Sequence, residues 1–293
     1  KTQRESPSDE VSLNAELLIK AGYVFKEMSG VYSYLPLGLR VLKKIEGIIR
    51  EEMDKIGGTE MKTSIFQNKD VWDKTGRWDD SVVDIWFKTK LKNGGDLGLS
   101  FTNEEAYANI LKQHINSYKD LPAYPYDFKE IFRNEARSKS GILRGREFFW
   151  KALYSFSKDE EEHNVFYEKA KEAYKNIFKR VGIGHLTYLT FASGGTFSKY
   201  SHEFQTLTGA GEDTIYLDEN RGLAINKEIY DDQELKSLGL KREDLIEKKS
   251  IEVGNIFSLG YLGKYFLKSF AVYFELAITA LQYLAFLISI QYK

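Results

Sequence analysis

The sequence predicts an α+β fold, an antiparallel β-sheet flanked by helices. Three observations predict it. Apolar residues recur at three- and four-residue steps in two long segments, 39–56 and 158–181, the period of a helix with one buried face. Short runs rich in aromatic and β-branched residues lie between and after them, separated by glycine-containing turns, as antiparallel strands are. These strands cluster in the middle of the chain, which points away from a regular βαβ alternation and its parallel sheet.

The first helix draws its stripe from Leu39, Leu42, Ile45, Ile48, Ile49, Met53 and Ile56, with Lys43, Lys44, Arg50, Glu51, Asp54 and Lys55 mostly opposite. Gly57-Gly58 ends it, since glycine takes the left-handed conformation after a helix without a Cβ penalty. Asp84–Leu91 and Leu97–Phe101 read as two strands around the hairpin signal Asn93-Gly94-Gly95-Asp96. A helix starts near Thr102-Asn103 and turns Tyr107, Ile110, Leu111 and His114 inward. Tyr126–Arg133 and Glu147–Phe156 are strands joined by a Gly- and Arg-rich loop, Ser138–Arg146. Ser157 and Glu160 form a capping box for a helix from Lys158 to about Val181, whose buried stripe is Val165, Phe166, Ala170, Ala173, Tyr174, Ile177 and Phe178. Short strands follow from His185 to Leu217, broken at Ser193-Gly194-Gly195, and the charged segment Lys227–Lys249 is expected to be a peripheral helical patch.

Composition removes several function classes. The 293 residues have room for one large domain or two modest ones, and 42% hydrophobic with 14% aromatic content excludes a wholly disordered chain. The 42 Lys and Arg against 43 Asp and Glu leave a net charge of −1, which excludes a uniformly basic nucleic-acid coat but not local basic patches. With no Cys there are no disulfides, thiolate zinc sites or cysteine nucleophiles, and a cytoplasmic, reducing location is expected. His114, His163, His185 and His202 lack metal-ligand spacing, so no protein-held metal is expected. Ser269–Ile290 is apolar apart from Glu275 and a few weakly polar residues, and as a helix of about 33 Å it has the length to cross a bilayer.

The most informative stretch runs from Phe132-Arg133-Asn134-Glu135-Ala136-Arg137 to Gly141-Ile142-Leu143-Arg144-Gly145-Arg146-Glu147-Phe148. It sets four arginines, two carboxylates and an aromatic ring on a strand–loop–strand. Planar guanidinium groups bind phosphate and carboxylate oxygens in pairs, so a nucleoside triphosphate is a reasonable ligand. A solvated hairpin with surface ion pairs is the alternative at this point. Taken singly, Glu104 is also explained by the positive end of its helix, Phe148 by a place in the core, and His202 and Glu203 by a polar strand end.

These residues do not stand alone. Residues 132–148 resemble motif 2 of class II aminoacyl-tRNA synthetases, closely that of bacterial-type prolyl-tRNA synthetases. Further blocks agree in order: Gly30–Arg40 before motif 1, Thr75-Gly76-Arg77-Trp78, Thr102-Asn103-Glu104-Glu105, Ser201-His202-Glu203-Phe204 and Glu252–Phe257. The resemblance runs from Lys1 to about Gly260 and implies a catalytic core over 1–260 that forms prolyl-adenylate from L-proline and ATP with Mg²⁺. The product would then be transferred to tRNA(Pro), in a cytoplasmic homodimeric ligase. By the same resemblance Arg133 lies between the α-phosphate and the amino-acid carboxylate as the catalytic residue. Glu135 accepts from the adenine amino group, Arg144 reaches the outer phosphates, and Phe148 stacks on adenine. Thr102 and Glu104, with Arg133, hold proline.

The sequence departs from the family at several points. Ser64 stands where proline is usual near the end of motif 1, Ala152 where an acid follows the lysine of the second motif 2 strand, and Asn255 where histidine is usual. Only about 50 residues separate the Ser201 and Glu252 blocks, too few for the family's editing insertion. Motif 3 and an anticodon-binding domain are not visible, and 261–293 is an apolar tail unlike the family. For that tail three readings stand: an incomplete or frame-shifted product, to which a start at Lys1 is suited; a buried helix replacing motif 3; and, least favoured, a membrane anchor. Beside the ligase stand a catalytically silent nucleotide- or tRNA-binding paralogue and a class II synthetase for another amino acid.

Overall fold

The structure is a computed structural model that describes residues 2–136, 141–194, 199–260 and 270–277. In chain order its elements are α1 (Leu13–Lys20), β1 (Val24–Met28), β2 (Val31–Tyr34), α2 (Pro36–Lys55), β3 (Thr59–Glu60), β4 (Phe66–Asn68) and α3 (Lys69–Trp72). Then come β5 (Lys88–Lys90), β6 (Asp96–Leu99), α4 (Glu104–Leu111), β7 (Pro125–Phe132), β8 (Glu147–Ser157) and α5 (Glu160–Arg180). The last are β9 (Thr187–Ser193), β10 (Tyr200–Leu207), β11 (Asp213–Asp218), β12 (Leu223–Asn226), α6 (Asp232–Leu238), β13 (Ile246–Gly260) and β14 (Phe270–Ala277).

A nine-stranded sheet in the order β10-β9-β12-β11-β13-β14-β8-β7-β3 organises the molecule. It is antiparallel except where β12 meets β9 and β3 meets β7. β10 also pairs with β13, so β9 to β13 close on one another at one end of the sheet. A small three-stranded sheet, β4-β6-β5, sits apart. This is the α+β arrangement that the clustered strands implied.

The two faces of the large sheet have different neighbours, because successive side chains of a strand point to opposite sides. One face is covered by α2 and α5. Leu42, Ile45, Ile49 and Met53 of α2 and Phe166, Ala170, Tyr174, Ile177 and Phe178 of α5 pack on Tyr126, Phe128, Leu153, Phe204 and Ile256. Tyr174 and Phe204 stack with centroids 5.4 Å apart. The opposite face meets α4, whose Tyr107 and Leu111 pack on Ile131, Trp150, Ala152 and Tyr154. This second face carries the candidate site.

Several boundaries differ from the sequence expectation for local reasons. α2 begins at Pro36, where a missing N–H costs nothing, and the expected stripe residue Leu39 is 44% exposed in its first turn. α2 ends before Gly57 at φ +91°, and a Cβ on Gly58 would lie 2.8 Å from the Met53 carbonyl oxygen. The cap of α5 is Asp159, whose side chain accepts from the Glu162 N–H at 2.9 Å. Ser157, the expected cap, is the last residue of β8, and Val165 is 52% exposed. The hairpin strands are shorter than expected, since 84–87 lie outside β5. His114 falls beyond the end of α4 and is exposed rather than turned inward. The 227–249 patch holds α6 and two short 3₁₀ turns, but 246–249 already belong to β13.

The largest correction concerns the apolar end. Residues 270–277 form a strand, not part of a helix, and β14 is inserted between β13 and β8. Its aromatic and β-branched residues suit a strand, and both neighbours present free ladder edges to it. Among the described residues no helix is long and apolar enough to cross a membrane. Residues 278–293 lie outside the described part.

Tyr273 is in register with Tyr154 on one side and Phe257 on the other. Whichever way its N–H points, it meets a strand. Tyr273→Pro is expected to destabilise the chain by about 3 kcal/mol or more, read as a lower urea midpoint. An unchanged midpoint would show that β14 takes no part in the cooperative sheet.

Candidate functional site

The site is built around the start of α4. Asn103 is its cap residue, and Glu104 and Glu105 occupy the first turn, where the helix dipole favours negative charge. Glu104 is 5% exposed and Glu105 fully buried. Buried carboxylates require partners, and these are present. Thr102 Oγ1 donates to Glu104 Oε1 at 2.6 Å, and the Tyr154 hydroxyl donates to the same oxygen at 3.3 Å. Arg77 Nη1 donates to Glu104 Oε2 at 3.0 Å and to the two oxygens of Glu105 at 3.0 and 2.9 Å. Thr75 Oγ1 donates to Glu105 Oε1 at 2.8 Å.

Arg77 reaches this position from a 3₁₀ turn over Asp73–Thr75 that closes on Gly76 at φ +72°, a left-handed conformation. Its guanidinium lies 5.2 Å from the Trp72 ring centroid and 5.6 Å from that of Phe101. Trp72, Trp86 and Phe101 pack together beside the small sheet, so the cation is held by aromatic faces as well as by carboxylates. Burial pushes the Glu105 carboxyl above its ordinary value; the charge of Arg77 opposes this and that of Glu104 adds to it. Burial works to lower Arg77, but Glu104 and Glu105 together hold it above its ordinary value.

Arg133 follows the end of β7. Its Nε donates to the Phe101 carbonyl at 3.3 Å, and its guanidinium lies 5.3 Å from the Phe148 ring centroid. The Phe101 carbonyl thus joins Arg133 to the strand of chain that supplies Thr102 and Glu104. Glu135 and Arg144 pair with each other at 3.3 Å, and Arg144 also lies 3.8 Å from Glu212. The expected residues therefore form three sets: Thr102 with Glu104, Arg133 with Phe148, and Glu135 with Arg144. The last pair is partly solvated and weakly held, which leaves both groups available to exchange partners. Residues 137–140 of the connecting loop, with Arg137, lie outside the described part.

Three residues of this site, and a fourth that is a buried carboxylate elsewhere on the large sheet, were given no role from the sequence. Arg77 and Glu105 complete the charge cluster, and Tyr154 reaches it from β8. Arg77 lay in a recognisable block, but nothing local marks a lone arginine as the partner of carboxylates 27 and 28 positions on. Tyr154 is found by period-2 counting from Ala152. The fourth is Glu203, buried on β10 in register with Asn255. It accepts from Gln205 Nε2 at 2.9 Å and Asn226 Nδ2 at 3.0 Å, and burial pushes its carboxyl up. Asn255 Nδ2 donates to Glu203 at 3.4 Å and to Glu252 at 3.0 Å.

The other departures also have structural settings. The Ser64 carbonyl accepts from Lys129 Nζ at 3.2 Å, and burial brings the Lys129 ammonium down to about 8. Ala152 is buried in the α4-facing cluster, and Glu275 is its register partner on β14.

His202 points to the helix-covered face, away from the site. Its Nδ1 is 2.7 Å from the Tyr167 hydroxyl, and burial, with the charge of Lys171 adding, pushes it down to about 4 from 6.5. Above about pH 6.5 the imidazole is neutral folded and unfolded alike. As pH falls toward 4, the unfolded chain takes up the proton first, so stability is lost across that window. The loss from this group reaches about 3 kcal/mol. Unfolding midpoints measured across the window are expected to fall less steeply in His202→Gln than in the parent chain. Equal slopes would contradict a buried neutral imidazole.

The chain has known relatives. The profile of the tRNA synthetase class II core domain (G, H, P, S and T) matches residues 87–266, so the likeness continues six residues past position 260. A proline--tRNA ligase of Pelotomaculum thermopropionicum is 41% identical over 220 residues, covering 75% of this chain and 38% of that protein. One from Bacillus subtilis is 38% identical over 245 residues, covering 81% of this chain and 43% of that protein. The chain thus spans about two fifths of the length of these relatives. Among solved structures, a Giardia lamblia prolyl-tRNA synthetase in complex with prolyl-adenylate superposes with a TM-score of 0.70 at 16% identity, covering 94% of this chain and 51% of that one. That likeness is one of fold.

Proposed function

The chain belongs to the family of class II tRNA synthetase core domains, and from that premise we propose that its site activates L-proline with ATP. The reading rests on one observation above the others: a buried acidic cluster at Thr102 and Glu104 is joined through Phe101 to a guanidinium at Arg133. A zwitterionic amino acid needs this pairing of opposite charges at short range. The secondary ammonium of proline meets Glu104 and Thr102, and its carboxylate turns to Arg133.

The proposed step is a displacement at phosphorus. A carboxylate oxygen of proline attacks the α-phosphorus, the bond to the bridging oxygen of the β-phosphate breaks, and pyrophosphate leaves. The nucleophile is already an anion, so no general base is needed. The barrier lies in bringing two anions together and in the charge that builds at phosphorus, and a fixed guanidinium lowers both. Phe148, beside Arg133, is assigned to stack on adenine and Glu135 to accept from its amino group. Arg144 is assigned to the outer phosphates, which displace its present pairing with Glu135. Mg²⁺ is expected with the nucleotide. Among the described residues no group of three His, Asp or Glu side chains is arranged to hold an ion.

Transfer of the prolyl group to tRNA(Pro), a homodimer and a cytoplasmic location complete the proposal. The first is supported by the proline--tRNA ligases to which the chain is similar, and the other two are what the family resemblance of the sequence implies. The catalytic core, bounded at residue 260 by the resemblance, is proposed to continue through β14, since that strand joins the two halves of the sheet.

The chain is expected to catalyse proline-dependent exchange of pyrophosphate into ATP, and Arg133→Ala to lower the rate by about a hundredfold or more. Preference for another amino acid would overturn the assignment. ATP binding without exchange for any amino acid would make the chain a silent nucleotide-binding relative.

A further inference from the structure

We propose that Arg77 is the positioning residue of the ammonium site: by bridging Glu104 and Glu105 it keeps the Glu104 carboxylate ionised and aimed, and it leaves the cluster one net negative charge for one ligand cation. The inference rests on the proline-activating reading and adds to it a residue and a charge rule.

The charge count comes from the geometry. Glu104 and Glu105 are consecutive, both buried, and both within 3.0 Å of the same Arg77 nitrogen. Without that cation, two buried like charges in one place favour a shared proton, and a protonated Glu104 has no full charge to offer an ammonium group. With it, the ionised form of both carboxylates is favoured against burial, and in that form two carboxylates and one guanidinium sum to −1. Among the described residues the other side chains on these carboxylates are the neutral hydroxyls of Thr75, Thr102 and Tyr154, which add hydrogen bonds but no charge.

Arg77 is built to hold rather than to bind. Its guanidinium is braced by Trp72 and Phe101, and its path is set by the left-handed turn at Gly76. Lysine has the charge but not the planar surface that lies against Trp72 and Phe101, so it replaces arginine only in part. The ligand class follows. An amino acid with a protonated ring nitrogen satisfies the cluster. Tetrahydrofuran-2-carboxylate, which has an ether oxygen there, brings no charge and leaves a carboxylate unpaired.

Two measurements test this on the full chain. The first follows the carboxyl carbons of Glu104 and Glu105 by NMR through a pH titration without ligand. R77Q is expected to move their titration upward by about one pH unit or more, and R77K by less. A titration unmoved in R77Q overturns the inference, whatever the chain binds. The second is calorimetry with L-proline, tetrahydrofuran-2-carboxylate and ATP. R77Q is expected to weaken proline binding by at least about tenfold near neutral pH, with partial recovery at higher pH as the pair loses its shared proton. ATP affinity is expected to stay unchanged. A merely structural role for Arg77 predicts equal losses for proline and ATP and no recovery with pH. Should R77Q fail to fold, E105Q carries the test. It brings the cluster to zero net charge and is expected to cost proline binding at least about tenfold while sparing ATP, and undiminished proline affinity in it overturns the proposal. A parent chain that binds no proline while R77Q shifts the titration refutes the proline reading and supports the charge role of Arg77.

Discussion

The alternation of side chains across the central sheet is the constraint on which the rest depends. Every strand that sends Phe204, Ile256, Leu153 and Phe128 into the α2–α5 layer must send the intervening residues to the other side. On β10 that side receives Glu203, on β13 Asn255, and on β8 Ala152 and Tyr154. A slip of one residue in any of these strands would bury the polar set under helices and expose the aromatic one. The apolar layer therefore sets the register, and the register delivers the chemistry.

Placing charge on that second face is costly unless each group is paired, and the molecule meets the cost locally. The small β4–β6–β5 sheet and its aromatic cluster exist beside α4 to bring one cation to two carboxylates. Arg133 is placed differently, with its Nε on a backbone carbonyl and its guanidinium beside an aromatic ring. Glu135 and Arg144 occupy each other at the solvent edge. The gradient runs from a buried, hydrogen-bonded cluster of two carboxylates on one guanidinium to loosely paired groups at the rim, as suits a buried small ligand and a longer one reaching outward.

Much of this was legible in the sequence. Helix α2 and helix α5 followed from period 3.6, and β7 and β8 from their flanks, because long amphipathic segments carry their environment in their spacing. The grouping of Thr102, Glu104, Arg133 and Phe148 came from ordered motifs and not from periodicity. Errors arose where tertiary contacts outweighed local preference. Asp159 displaced Ser157 as a cap because β8 ran on through Ser157. The apolar end had the composition of a buried helix, yet 270–277 became a strand because β8 and β13 both had an open edge. Arg77 was invisible as a partner, since its carboxylates lie far along the chain and only the folded small sheet brings them close.

One face of this sheet is proposed to hold a prolyl-adenylate. The most direct measurement is the thermal midpoint of the chain with a non-hydrolysable prolyl-adenylate analogue, beside its alanyl counterpart and adenosine monophosphate. Ligand that binds only the folded state raises the midpoint with concentration, and at about a hundredfold over Kd it adds about 2.7 kcal/mol. The account predicts a clear rise for the prolyl analogue, a smaller one for the alanyl compound, and loss of the rise in Arg133→Ala. No rise, or equal rises for the prolyl and alanyl compounds, would contradict it.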